Sequence, residues 1–345
     1  MSGYPPIDAT TIATAAQMLE SGQLVAFPTE TVYGLGADAM NPDAVAQIFA
    51  LKGRPADRPL SINVSKETDL AYWVAEIPPL AEKLIAAFWP GPLTLVLKKS
   101  VHVPDTISRG KDSVALRCPS HPVAMALLKV FRQGKGGIAA PSANRSGHIS
   151  PTTAQHVRDE FGTDARLGMI LDGGSCDLGI ESTILDLSHL ETEAPVILRS
   201  GAVSAEEIAE VIGRRPCLRL QSDVHQAHGE GHYVPETPAV VLTTAQMLAA
   251  IQAGSLSEAA FLVHSDALSG ELTKAVEKPF AWQLPDDPVA YARDFYAALR
   301  KADSSGVRMI VLEAVPVSPP WQAVSDRLSS VARDGERLKL ILGVG

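Results

Sequence analysis

Cysteine is scarce in this sequence. Cys118, Cys176 and Cys217 form no C-x-x-C pair. Neither a disulfide framework nor zinc-finger spacing is expected, and a reducing compartment fits. Basic charge is in deficit: 30 Lys and Arg stand against 39 Asp and Glu, a formal net charge of −9. That excludes a broad basic face built to grip nucleic acid. Residues 1–213 hold 17 basic and 24 acidic side chains, and residues 214–345 hold 13 and 15. Neither part is a basic tail. No run approaches the roughly 18 consecutive apolar residues of a membrane span, so no membrane partner is expected. The start, Met-Ser-Gly-Tyr-Pro-Pro, lacks the basic and apolar regions of a signal peptide, and a cytoplasmic location is the expectation. P-loop, G-x-S-x-G and H-E-x-x-H motifs are all missing. The nine His show no ligand spacing, so no protein-held metal is expected.

What is present is a globular chain. The 345 residues are 46% hydrophobic and 20% charged, enough for about two domains with buried cores. Residues 1–213 alternate strand-like and helix-like segments. Strands are expected at 23–28, 60–64, 93–97, 113–117, 138–141, 168–172, 182–187 and 195–199. Helices are expected at 11–21, 42–51, 121–131 and 152–161. Asn41-Pro42-Asp43 is a helix start, with a capping Asn, a Pro at the first position and an acid in the first turn. Ser204 and Glu207 form a capping box for one more helix. This part reads as α/β or α+β with a mixed sheet. Residues 214–237 are polar and aperiodic and read as an interdomain linker, long enough to suggest a functional loop. From Pro238 a second pattern begins, with strands in PAVVL, AAFLVHS and MIVLEAVP and helices at 244–253, 288–301 and 321–332. It predicts a small βαβ domain over 238–345.

Several segments suggest chemistry. Gly34-Leu-Gly36-Ala-Asp-Ala39 matches a dinucleotide fingerprint, but the helix start lies beyond it at Asn41, so a Rossmann cofactor is disfavoured. Thr29, Thr31 and Tyr33 follow a strand and are placed to reach a ligand. Lys52, Arg54 and Arg58 fall within seven residues at a helix end. One such cation would be simple capping. Three together in a Gly/Pro-stiffened loop read as an anion clamp. Ser142 and Asn144 end an apolar strand, where an ordinary polar turn is the competing reading. Arg117 and Arg199 end strands, and Ser182 and Thr183 open one. Anion recognition and surface snorkelling both fit the arginines.

Taken together, PTETVYGLG, the K-x-R of Lys52 and Arg54 with RPL after it, FWPGPLT, the S-x-N of Ser142 and Asn144, and GIESTILD resemble the YrdC-type domain of L-threonylcarbamoyladenylate synthases. The resemblance runs over about residues 8–213. The remainder resembles the long form of that family, whose linker carries a His-Tyr-Ala-Pro motif before a small Rossmann-like domain. Here the linker reads His232-Tyr233-Val234-Pro235, with Val in place of Ala and AHGEG where Ser-Pro-Gly is usual. The resemblance implies a YrdC-like twisted mixed sheet with a concave cavity over 1–213, a linker over 214–237 acting as a lid, and the C-terminal domain. It implies an adenylyltransferase that joins L-threonine, bicarbonate and ATP into L-threonylcarbamoyladenylate, releasing pyrophosphate. A downstream tRNA threonylcarbamoyl transferase complex would use the product beside the anticodon. Any tRNA contact by this chain would be weak. Mg²⁺ would arrive with ATP, and no tightly bound cofactor is implied. On the L-threonine side the resemblance places Thr31, Asn63, Arg117, Ala140 and Ser182. On the ATP side it places Arg54, Arg58, Ser113, Ser142, Ser150, Arg199 and Tyr233. Lys52, Arg54, Ser142 and Asn144 form the catalytic signature. A catalytically silent RNA-binding module of the same fold is the alternative, and the intact K-x-R and S-x-N speak against it.

Overall fold

The computed structural model describes residues 7–339 apart from 163, 191–192, 219–232, 255, 257, 276–279, 333–334 and 336–337. The chain forms two compact units. The first is described over 7–146 and 150–218, the second over 147–149 and 233–339.

The first unit holds strands β1 (Leu24–Phe27), β2 (Gly34–Asp38), β3 (Ser61–Val64), β4 (Leu93–Lys98), β5 (Ser113–Arg117), β6 (Gly137–Ala139), β7 (Leu167–Ile170), β8 (Thr183–Asp186), β9 (Val196–Arg199) and β10 (Cys217–Leu218). Among the described residues they form one sheet in the order β10-β9-β8-β4-β5-β3-β6-β2-β1-β7. It is mixed: β3 runs parallel to β5, and β4 antiparallel to β5 but parallel to β8. The helices are α1 (Ala9–Glu20), α2 (Pro42–Lys52), α3 (Pro79–Phe88), α4 (Asp105–Ser108), α5 (Pro122–Val130), α6 (Ala154–Phe161) and α7 (Ala205–Ile212).

Local chemistry sets the helix ends. Asn41 Oδ1 accepts the Asp43 and Ala44 N–H groups at 3.1 and 3.2 Å, Pro42 sits in the first turn, and Gly53 closes α2 at φ 61. A left-handed residue there suits glycine. Ser204 and Glu207 close the reciprocal capping box of α7.

Strand alternation decides where the core lies. Ile62, Val64, Leu93, Leu95, Leu97, Val114, Leu116 and Leu185 all face one hydrophobic core. The residues between them point the other way. Register aligns Ser61 with Ala115, Asn63 with Arg117, Val96 with Ala115, Lys98 with Ser113 and Ile184 with Arg199. Ser61, Ser113, Ala115, Ile184 and Arg199 on this second face are only partly buried. One face of the sheet is packed throughout; the other is packed by α1 and α5 at β1 and β6, through Val25, Phe27 and Ile138, and carries polar groups and partly exposed residues over β3, β5, β8 and β9.

The second unit is a parallel sheet, β11 (Ala239–Leu242), β12 (Ala259–Val263), β13 (Ala281–Gln283) and β14 (Met309–Glu313), in the order β11-β14-β12-β13. Its helices are α8 (Thr244–Gln252), α9 (Asp266–Ala275), α10 (Pro288–Asp303) and α11 (Gln322–Val331). The nearly unbroken apolar runs of β12 and β14 are those of strands covered on both faces. No described helix is long and apolar enough to cross a membrane.

Three sequence expectations change. Residues 34–38, which carry the glycine fingerprint and were not among the expected strands, form a strand inside the sheet. A Cβ on Gly36 would lie 2.9 Å from both the Phe27 ring and Ile138. The glycine makes room for packing and cradles no phosphate. Helices α3 and α9 and strand β13 add elements that the periodicity did not single out. Tyr33 is fully buried and its hydroxyl donates to Gly174 O at 2.7 Å, so it faces the core and not a ligand.

Candidate active site

The polar face of the first sheet gathers residues from distant segments. Arg117 ends β5 with 7% exposure. Its Nε donates to Gly91 O at 3.3 Å and its Nη1 to Thr31 Oγ1 at 2.8 Å. Its Nη2 lies 2.6 Å from Glu30 Oε1. Glu30 Oε2 in turn accepts the Ser120 N–H at 3.0 Å. Thr29 Oγ1 donates to Val32 O at 2.7 Å and lies 2.8 Å from Thr31 Oγ1. When the Thr29 hydroxyl hydrogen is used on Val32 O, Thr31 donates to Thr29 and keeps acceptor capacity only. Asn63 stands beside Arg117 in register and is buried.

A second polar group opens β8. Ser182 Oγ lies 2.8 Å from Thr94 Oγ1 and accepts from Arg199 Nη2 at 3.1 Å. Arg199 also donates through Nε and Nη2 to Ser182 O. The side chain of Ser150, fully buried, donates to Glu181 Oε1 at 2.7 Å.

The segment after β6 forms the third part. Ala140 N donates to Ser61 O, Leu35 N to Pro141 O, and Ala143 N to Tyr33 O. These bonds fix residues 140–143 against β2 and β3. Lys52, the last residue of α2, is 3% exposed. Its ammonium donates to Ser142 O at 2.5 Å and to Asn144 O. Burial, with Arg54 beside it, pulls its pKa down to about 7, while Glu160 pulls the other way. The lysine is thus both a cation and a tie across the S-x-N loop. Arg54 Nη2 donates to Pro59 O at 3.0 Å, and Arg54 and Arg58 are partly exposed. Asn144 is 5% exposed, with Nδ2 donating to Arg145 O at 2.8 Å.

The sheet therefore joins Thr31 to Arg117, Asn63 to Arg117, Ser182 to Arg199, and Lys52 to Ser142 and Asn144. Ser113 shares the Arg117 face but lies four residues back along β5, about 13 Å away at the usual strand rise. Tyr233 belongs to the second unit. It sits at φ 64, stacks on Tyr296 at 5.8 Å and lies under the Arg327 guanidinium at 5.2 Å. His232 and most of the linker fall outside the described residues.

Sequence reasoning passed over Glu30, Thr94 and Glu181 as site residues. Glu30 and Glu181 each adjoin a residue that was singled out, Thr31 and Ser182. A buried acid has to find a partner, and that requirement was the available signal. The partners lie too far along the chain to be read locally.

Two family models match the chain. The Sua5, YciO and YrdC model, described as "Telomere recombination", covers residues 17–201. The model described as "Threonylcarbamoyl-AMP synthase, C-terminal domain" covers 203–332. The chain is 40% identical to the threonylcarbamoyl-AMP synthase of Pyrococcus abyssi over 92% of both chains. It is 35% identical to that of Bacillus subtilis, over 93% of this chain and 92% of the relative. The crystal structure of P. abyssi Sua5 complexed with L-threonine matches with a TM-score of 0.83 and 37% identity, over 95% of this chain and 96% of that one. E. coli YciO, at 20% identity and a TM-score of 0.51, shares the fold over 59% of this chain. A full-length match to relatives and a model spanning most of the first unit agree: the chain belongs to the Sua5, YciO and YrdC family, in the form with a threonylcarbamoyl-AMP synthase C-terminal domain.

Proposed function

We propose that this chain makes L-threonylcarbamoyladenylate from L-threonine, bicarbonate and ATP, for the threonylcarbamoyladenosine modification of tRNA beside the anticodon. The observation that carries the reading is the pair of polar clusters in the first unit, Arg117 with Thr31 and with Asn63 beside it in register, and the S-x-N loop that Lys52 ties. It is the arrangement expected of a site that works by positioning and charge. The threonine amine captures bicarbonate as a carbamate, with loss of water. A carbamate oxygen then attacks the α-phosphorus of ATP, the bond from that phosphorus to the bridging oxygen breaks, and pyrophosphate leaves. Such a transfer depends on alignment and on stabilised phosphate charge.

In this reading Arg117, Thr31, Asn63, Ala140 and Ser182 hold the amino acid. Arg54, Arg58, Arg199, Ser142, Ser150, Ser113 and Tyr233 serve ATP. Lys52 and Asn144 shape the phosphate end of the site. Mg²⁺ enters as part of the ATP complex, with phosphate oxygens and water as its ligands. The product passes to a transferase complex in the cytoplasm, and a net charge of −9 suits a chain that holds tRNA weakly.

Pyrophosphate release tests this directly. Release that needs both L-threonine and bicarbonate, with a nucleotide product of threonylcarbamoyl-AMP mass, is expected. Arg54→Ala should lower the rate by about 100-fold or more while the protein stays folded. A folded, ATP-binding protein that releases no pyrophosphate would overturn the reading.

A further inference from the structure

We infer that Glu30 and Thr29 are positioning residues of the amino-acid subsite, fixing Arg117 and Thr31 as a donor and an acceptor side by side. The inference rests on the reading that Arg117 and Thr31 face the amino acid.

A guanidinium has five N–H groups. Two N–H directions of Arg117 are taken, by Gly91 O through Nε and by Thr31 through Nη1, while Nη2 is ion-paired with Glu30 Oε1 at 2.6 Å. The remaining N–H bonds lie in the same plane and suit a planar carboxylate. Their aim depends on what holds the guanidinium. Glu30 is 4% exposed and is itself anchored by the Ser120 N–H. It is a buried carboxylate fixed from behind, and it sets the rotation of the Arg117 head.

Thr29 performs the matching task on the other side. Its hydroxyl hydrogen goes to Val32 O, and its oxygen also faces the Thr31 and Val32 N–H groups at 3.2 and 3.3 Å. In the arrangement inferred here the chain of bonds runs one way. Arg117 donates to Thr31, Thr31 to Thr29, and Thr29 to Val32 O. Aligned chains of this kind reinforce one another. Thr31 can then only accept from a ligand. A donor fork next to an acceptor matches a zwitterion, whose carboxylate takes hydrogen bonds and whose amino group gives them. Neither Glu30 nor Thr29 needs to touch the substrate to impose this polarity.

The test is calorimetric binding of L-threonine alone to the full chain, followed by steady-state kinetics, with a thermal melt of every variant. Glu30→Gln should weaken threonine binding about tenfold or more, the scale of one hydrogen bond to a charged group. The KM for threonine should rise in parallel, with the KM for ATP within about twofold, a split that general loosening would not produce. Glu30→Asp, which keeps the charge, should recover part of the loss. Thr29→Val is near in shape and buries no new charge, so it carries the test if Glu30→Gln does not fold. It should weaken threonine several-fold with little effect on ATP. Unchanged threonine affinity in a folded Glu30→Gln or Thr29→Val would overturn the inference, as would equal losses for threonine and ATP. A wild-type chain that binds threonine but releases no pyrophosphate would sink the proposed reaction and leave this inference standing. One that binds no threonine would sink both.

Discussion

Both units bury a glutamate near a strand end, and the two carboxylates do different work. Glu313 ends β14 with no exposure. Its Oε2 accepts the His264 and Ser265 N–H groups at 2.8 and 2.9 Å, and its Oε1 accepts from Thr244 Oγ1 at 2.9 Å. Every donor is neutral and supplied by the protein, so the cluster is complete in itself. Residues 264 and 265 lead directly into α9, the place where a parallel α/β sheet often receives an anion. Here the chain's own carboxylate stands there. Glu30 instead faces a cation with more N–H groups than the protein uses. One carboxylate closes a site, and the other aims a donor at whatever enters.

The comparison can be tested by removing its parts. Glu313→Ala leaves a buried donor at His264 and partly buried donors at Ser265 and Thr244 without their acceptor, and should cost about 3–5 kcal/mol of folding stability. Urea denaturation would read it, and a loss below about 1 kcal/mol would mean that the cluster is not self-contained. Next in size is Lys52→Met, which removes the donor from the Ser142 and Asn144 carbonyls. It should cost about 2–4 kcal/mol and most of the synthesis rate. Arg54→Ala, at a partly exposed position, should lose synthesis at a stability cost under about 1 kcal/mol. Equal stability of the two variants would argue against the lysine tie.

pH separates the two kinds of buried charge. Lys52 has a pKa of about 7 when folded and 10.5 ordinarily. Between those values the unfolded chain binds this proton more strongly, so the Lys52 contribution to stability rises with pH across that window. For Glu313, burial pushes the pKa up. The Ser265 N–H and hydroxyl, the His264 N–H and the Thr244 hydroxyl outweigh it, and the net value falls below 4.5. Its contribution is full above that pH and is lost as pH falls through the lowered folded value. Urea midpoints across acid and alkaline pH, with Lys52→Met and Glu313→Gln as controls, should lose the alkaline rise and the acid fall respectively. The smallest effect is that of Thr244→Val, about 1 kcal/mol. Pyrophosphate release should be unchanged, since none of the residues proposed to hold ATP or L-threonine takes part in the cluster.

Much of the architecture was legible because its signals are local. Asn41-Pro42-Asp43 and Ser204 with Glu207 each specify a helix start within four residues, and both starts stand where they were expected. Apolar alternation likewise located β4, β5 and β8. Strand β2 was hidden because Gly34 and Gly36 lower its strand signal, and only the close contact with Phe27 and Ile138 explains Gly36. Strand β13, three residues long, offers too little pattern. The motif residues of the site were legible as types, but their supports were not. Glu30 stands next to Thr31 in sequence, yet its role comes from Arg117, which reaches it only across the sheet.

The sequence by itself determined the helix starts, the two-part α/β organisation and the kinds of polar group available for chemistry, since these depend on neighbours along the chain. Only the tertiary structure decided which carboxylate meets a cation and which meets backbone N–H groups. It also decided which part of the sheet's second face stays open and which groups meet the hydroxyls of Thr29 and Thr31. Those outcomes depend on strand order and register, which bring residues from separate segments within hydrogen-bond reach.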